Sequence, residues 1–143
     1  MKWKALAVLG AALLVGCGGD EAVQLDKARF ALVTTLSDKA ATNVTLGGDA
    51  DNYVSATLLD SAIGTGKVFS ERRSKADVSS VTVDWGGVHY VESLKHDTWS
   101  RVEMTQNGAD LVVSVAGRFV SPSKDQYIDV DWSTVTVAPS DFK

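Results

Sequence analysis

The chain has 143 residues, with 14 Lys and Arg against 18 Asp and Glu and a formal net charge of −4. The charges are scattered and form no basic cluster, which argues against nucleic-acid binding because such binding needs a positive surface. The chain contains a single cysteine, which excludes a disulfide within the chain.

The first predicted element is a short apolar segment that follows two positive charges. Lys2 and Lys4 precede an almost purely apolar run at residues 5–15. A helix needs roughly 20 apolar residues to cross a bilayer, so this run predicts a targeting segment and not a membrane span. The residues Leu14-Val15-Gly16-Cys17 end the run. They resemble the lipobox of bacterial lipoprotein signal peptides, in which an aliphatic residue, a small or aliphatic residue and Gly, Ala or Ser precede a cysteine.

The resemblance implies how the protein is processed and where it is held. Cleavage is expected between Gly16 and Cys17, and Cys17 is expected to be diacylated and to carry the lipid that anchors the protein in the membrane. Two acyl chains anchor stably where one binds only marginally. Gly18 follows the cysteine where an aspartate favours retention in the inner membrane, so the resemblance implies the outer membrane of a bacterial cell envelope. An ordinary secretory signal with an incidental cysteine is the alternative.

Three segments are therefore predicted along the chain. Residues 1–16 form the signal peptide, residues 17–24 form the lipidated cysteine and a flexible leash, and residues 25–143 form the folded domain. The leash prediction depends on Gly18-Gly19-Asp20-Glu21, because glycines are flexible and acidic residues keep the segment solvated.

The folded part is dominated by two-residue alternation of Val, Thr, Tyr and Trp, interrupted by turn residues. Residues 27–36 can be read as a strand or a helix. A strand, with Phe30, Leu32, Thr34 and Leu36 on one face, is favoured because Thr34-Thr35 suits a sheet. Further strands are predicted at residues 53–59 and 67–72.

Two hairpins can be given a register from their turns. Gly86-Gly87 predicts a two-residue turn that sets Val83, Asp84 and Trp85 opposite Tyr90, His89 and Val88. Asn107-Gly108 predicts a second turn of this kind. It sets Ser100, Val102 and Met104 opposite Val115, Val113 and Leu111 on a core face.

The last strand is predicted at residues 126–137. Ile128, Val130 and Trp132 share one face, and the apolar phase then slips to Val135 and Val137, which indicates a bulge near Ser133. About eight short strands and no favoured helix predict an all-β fold, a single antiparallel β-sandwich or small barrel built from hairpins.

The candidates for chemistry are weak. His89 and His96 are the only histidines, and a zinc site would need three or four convergent ligands. No Gly-x-Ser-x-Gly sequence is present to expose a nucleophilic serine. Asp49-Ala50-Asp51-Asn52 starts like a calcium loop, but the 12-residue pattern then fails. The sequence therefore predicts no catalytic residue, metal site or cofactor, and an envelope hydrolase or metal-dependent enzyme using His89 or His96 with nearby carboxylates is the alternative.

Exposed aromatic residues are the stronger candidate. Trp99 and Tyr127 are predicted on outward faces, with Arg101 and Arg118 near Trp99. Aromatic and arginine side chains on a sheet face are typical of binding hot spots. The alternative is that a loop or the second sheet covers this face. The predicted function is a non-catalytic binding module for an envelope protein or a glycan.

Overall fold

The computed structural model describes residues 22–71 and 76–143, and nearly all of its regular structure is β. The strands are β1 (Ala28–Leu36), β2 (Lys39–Gly47), β3 (Asn52–Leu59), β4 (Val68–Glu71), β5 (Ser79–Trp85), β6 (Val88–Tyr90), β7 (Trp99–Asn107), β8 (Asp110–Ser121) and β9 (Gln126–Val137). Two single-turn 3-10 helices lie at Asp60–Ala62 and Pro139–Asp141.

The strands form two antiparallel sheets. One has the order β1-β2-β3-β5-β6 and the other the order β4-β7-β8-β9. Alternate side chains point between the sheets, so Val44 and Val54 of one sheet and Val102 and Val113 of the other are fully buried. Each such side chain stabilises the fold by about 1.5–3 kcal/mol relative to exposure. The predicted all-β sandwich is confirmed.

The first predicted strand is confirmed, and a second strand that was not predicted follows it. Residues 28–36 are a strand, in which Phe30 and Leu32 line the outer surface of the sheet while the fully buried Ala31 faces the core. Strand β2 was not predicted at all. It pairs with β1 through a tight turn at Ser37 and Asp38, whose φ angles of 52° and 63° are left-handed.

The two predicted hairpin registers have different outcomes. The Gly86-Gly87 register is confirmed pair by pair, and both glycines have positive φ. The Asn107-Gly108 register is wrong by two residues because the turn is centred on Gly108-Ala109, with Asn107 paired to Asp110. Only Gly108 has positive φ, as in a turn with glycine at its first central position. The observed partners of Ser100, Val102 and Met104 are Gly117, Val115 and Val113.

The predicted bulge near Ser133 is present, and it places Trp132 on the outer face of the sheet. Val115 pairs with Ser133 and Gly117 with Val130, so Asp131 and Trp132 together oppose Ala116. The inserted residue reverses the sides on which successive side chains point. Trp132 was predicted on the face of Ile128 and Val130. It lies instead on the outer face, where it is exposed.

The two ends of the described chain are bound to sheet edges. Val23 forms a parallel bridge with Val130, donating to the Asp129 carbonyl at 2.8 Å and accepting from the Asp131 amide at 2.9 Å. The residues assigned to the end of the leash therefore contact β9, and Val23 is buried in the core. Near the C-terminus, Phe142 bridges Ala31 on β1. No helix in the described ranges is both long and apolar enough to cross a membrane.

Candidate functional site: an aromatic and cationic sheet face

The outer face of the four-stranded sheet brings together aromatic and basic side chains from all four strands. It includes each of the predicted binding-face residues. We call it the aromatic–cation face and define it by Phe69, Trp99, Arg101, Arg118, Tyr127 and Trp132.

Arg101 lies at the centre of this face. Its guanidinium carbon is 5.0 Å from the ring centroids of both Phe69 and Trp99. The two rings stack with their centroids 6.2 Å apart and their planes 26° from parallel. Arg101 Nε is buried, and no hydrogen-bond partner for it lies in the described part of the chain. Among the described residues, ring faces and not polar groups therefore surround this end of the Arg101 side chain.

Trp132 extends the face across the sheet. The strand β8 separates β9, which carries Trp132, from β7, which carries Arg101. The Trp132 ring nevertheless reaches to 5.6 Å from the Arg101 guanidinium carbon, and Lys67 Nζ lies 5.0 Å from the same ring. The β8 side chains below are the small Ala116 and Ser114, both buried although they point outward. Small residues on β8 leave room for the indole ring to cross the strand.

Arg118 forms a second, smaller cluster near the start of β9. Its guanidinium carbon is 4.6 Å from the Tyr127 ring centroid, and its Nη1 is 3.1 Å from both carboxylate oxygens of Asp129. The His96 ring meets the Tyr127 ring edge-on at a centroid distance of 6.2 Å. Arg118 also pairs directly with Trp99 in the sheet, so the two clusters are continuous.

The aromatic–cation face is open to solvent. Phe69 is 51 % exposed, and Tyr127 and Trp132 are each 37 % exposed. The neighbouring hollow, about 290 Å³ in volume, is lined by Phe69, Glu71, Asp97, Thr98, Trp99 and Arg101. Because Phe69, Tyr127 and Trp132 each keep more than a third of their surface in solvent, the described chain does not cover these three rings completely. Exposed apolar area of this kind, rimmed by polar groups, marks interaction sites.

The sequence did not predict Phe69 and Trp132 on this face, or the adjacent Lys67. Phe69 and Lys67 come from β4 and the residue before it, whose partner strand β7 lies about thirty residues further on. Pairing between strands so far apart in the sequence leaves no recognisable pattern in the residues around Phe69. Trp132 was assigned to the other face because the bulge lies at Asp131 and Trp132 and not after Ser133.

The other outer face carries the predicted histidine pair. His89 Nδ1 lies 2.9 Å from Asp84 Oδ1, in a shallow depression of about 540 Å³ on the five-stranded sheet. Tyr53 lines the same depression. The negative charge of Asp84, helped by desolvation and a hydrogen bond to that carboxylate, raises the pKa of the Tyr53 phenol. These contacts link Tyr53, Asp84 and His89 in one polar cluster.

The remaining candidates serve local turns. Ser93 Oγ lies 2.7 Å from His96 Nδ1 and accepts a hydrogen bond from the Lys95 amide at 3.2 Å. Asp49 Oδ1 accepts a hydrogen bond from the Asp51 amide at 2.8 Å, which lowers the pKa of Asp49. Within residues 22–71 and 76–143, no group of three or more potential metal ligands converges.

Comparison with known proteins adds no assignment: no family model, curated protein or solved structure matches the chain. The predicted lipidation residue Cys17 and the cleavage position at Gly16 lie outside the described residues. The aromatic–cation face is thus the most developed candidate site in the described part of the chain.

Proposed function

We propose that this chain is a lipid-anchored protein of the bacterial cell envelope whose β-sandwich is a non-catalytic module that binds another envelope protein. The lipobox-like residues ending at Cys17 support the anchor. The aromatic–cation face supports the binding module. The observation that carries the proposal is the row of partly exposed Phe69, Trp99 and Trp132 rings around Arg101.

The composition of this face favours a protein partner. Trp, Tyr and Arg are the residue types enriched at protein-binding hot spots, and such residues supply large contact area at low conformational cost. The hollow beside Trp99 adds the carboxylate of Asp97 to its aromatic lining, which suits a basic or amide-bearing side chain of the partner. A glycan that stacks on Trp99 or Trp132 is the other ligand class.

The binding proposal is tested with alanine variants of the full-length protein. Partners are captured from envelope extracts by photo-crosslinking at Phe69, and their affinities are then measured with purified components. We expect Trp99→Ala to weaken the protein complex by about 2 kcal/mol or more if Trp99 is a hot spot. Phe30→Ala, on the outer face of the other sheet, is the matched control. Binding to isolated envelope glycans but to no protein would replace the protein partner with a sugar.

The anchor is tested separately. Cys17→Ser should abolish fatty-acid labelling and release the protein from the membrane fraction. A correctly processed Cys17→Ser protein that stays membrane-bound would contradict the lipid anchor.

The hydrogen-bonded Asp84 and His89 supply the observation behind a second candidate, an envelope hydrolase. In that case His89 would act as a base oriented by Asp84, with substrate in the depression beside Tyr53. Hydrolysis of ester or glycoside substrates that disappears in His89→Gln would favour this candidate. Equal activity of both proteins would remove it.

A further inference from the structure

The direction in which the chain leaves the sandwich identifies one end of the molecule. Val23 runs parallel to β9 at Val130, so Ala22, the first described residue, lies on the Gln126 side of Val23. Cys17 is six residues before Val23. Since each residue spans at most about 3.6 Å, Cys17 can be no more than about 22 Å from Val23.

Two turns occupy this same end of the four-stranded sheet. Residues 93–97 immediately precede β7, and residues 122–125 join β8 to β9. The contact between the His96 and Tyr127 rings holds the first turn against the start of β9. An acyl group on Cys17 would therefore hold the bilayer within about 22 Å of Val23, which pairs with β9 four residues from its Gln126 end.

The first of these turns exposes a large aliphatic side chain. Leu94 is 71 % exposed at the turn, next to Lys95. The charged side chains of the two turns are Lys95, Asp97, Lys124 and Asp125. Their two positive and two negative formal charges cancel. Electrostatic repulsion from an anionic membrane is therefore small, and apolar contact is the available attraction.

We propose that this end of the sandwich docks on the phospholipid surface that holds Cys17, with Leu94 inserted at the headgroup level. The inference rests on the lipid anchor of the proposed function. A tether this short gives the turn an effective concentration of about millimolar at the membrane, so a weak apolar contact suffices. The strands of the four-stranded sheet then run away from the membrane, and the aromatic–cation face is accessible from the side.

The test compares two positions on the full-length protein, purified in its processed form and reconstituted in phosphatidylethanolamine–phosphatidylglycerol vesicles. Leu94→Cys and Ala109→Cys are each labelled with an environment-sensitive fluorophore. Ala109 is exposed in the turn at the opposite end of β7, about 30 Å away along a nine-residue strand. We expect lipid-attached spin labels to quench the Leu94 label at least threefold more strongly than the Ala109 label.

The outcomes separate this proposal from the anchor. Acylated Cys17 with equal quenching at the two positions would overturn docking and leave the anchor intact. Reaction of the fluorophore with Cys17 itself would reveal a free thiol and overturn both. Leu94→Asp, measured with a label at Lys124→Cys, should reduce quenching without releasing the protein. Protection of the Leu94 label in native membranes but not in pure phospholipid vesicles would assign the turn to a protein partner and overturn lipid docking.

Discussion

Trp132 and Arg101 are in contact although their strands are not neighbours. The ring centroid lies 5.6 Å from the guanidinium carbon, across the small β8 side chains. This contact ties the edge strand β9 to β7 on the outside of the sheet, while hydrogen bonds tie each of them to β8. The residues of the aromatic–cation face are therefore held in position by one another, and a partner that binds there would meet a preorganised surface.

Replacing Arg101 should measure this coupling. Arg101→Met keeps an aliphatic stem but removes contacts with three rings, so we expect the free energy of unfolding to fall by about 1–2 kcal/mol. Chemical denaturation of the variant gives the value. Lys124→Met, which removes an exposed cation elsewhere, should change it by less than about 0.5 kcal/mol. Equal stability of the two variants would mean that the ring contacts add nothing.

Val113 distinguishes the two sides of β8. Val113→Asp puts a carboxylate at a fully buried position opposite Met104, and we expect a loss of about 4 kcal/mol or more. Val112→Asp, one residue earlier on the half-exposed side, should cost less than about 1 kcal/mol. Thermal melts of both proteins provide the comparison, and a reversed order would exchange the faces of the strand.

Two glycines should be intolerant of alanine for different reasons. A Cβ at Gly117 would lie 2.6 Å from the Trp99 carbonyl oxygen and would also meet the Phe119 ring. We expect Gly117→Ala to cost about 2 kcal/mol and to change the near-ultraviolet circular dichroism of the tryptophans. Gly108 has open space around it but a φ of +64°, so Gly108→Ala should cost only about 1 kcal/mol and leave that spectrum intact. Similar spectra for both variants would contradict the close approach at Gly117.

Tyr53 should titrate above the ordinary tyrosine pKa because its ionised form would face the charge of Asp84. A folded pKa above the unfolded one means that the native state holds the proton more tightly. The associated stability is present below the unfolded pKa of about 10 and is lost as pH rises through the folded value. Spectrophotometric titration of the unmodified protein and of Tyr53→Phe should identify the ionisation of Tyr53, since that step is missing from the variant. Asp84→Asn should lower its pKa, and an unchanged titration would contradict the assigned cause.

The hairpin sequences predicted the sheet face on which each residue lies better than they predicted its cross-strand partner. The Gly86-Gly87 turn correctly predicted every residue pair between β5 and β6, because both glycines take the positive φ that the turn requires. At Asn107 the strand continued one residue further and the register moved by two. A shift of two preserves the side on which each residue points, so Trp99 and Arg101 remained on the predicted outer face.

Other features could not be read from local sequence. Strand β2 contains Lys, Asn and Ala among its Thr and Val residues, and its turn uses Ser37 and Asp38 without a glycine. The outward position of Trp132 depends on which residue of β9 is the inserted one. That choice is made by tertiary packing against β8 and by the hydrogen bonds that the Val23 segment makes with Asp129 and Asp131.

The attachment of Val23 to β9 also has a mechanical consequence. If a lipid on Cys17 holds the protein and the sandwich binds a partner, a pull on that partner is opposed at Val23, whose backbone lies parallel to β9 next to the bulge. The force then acts along the strand and loads the hydrogen bonds to Asp129 and Asp131 together, in shear. A segment attached across the strand would instead open one bond at a time. The geometry at Val23 thus suits a junction that carries tension between a membrane and a bound partner.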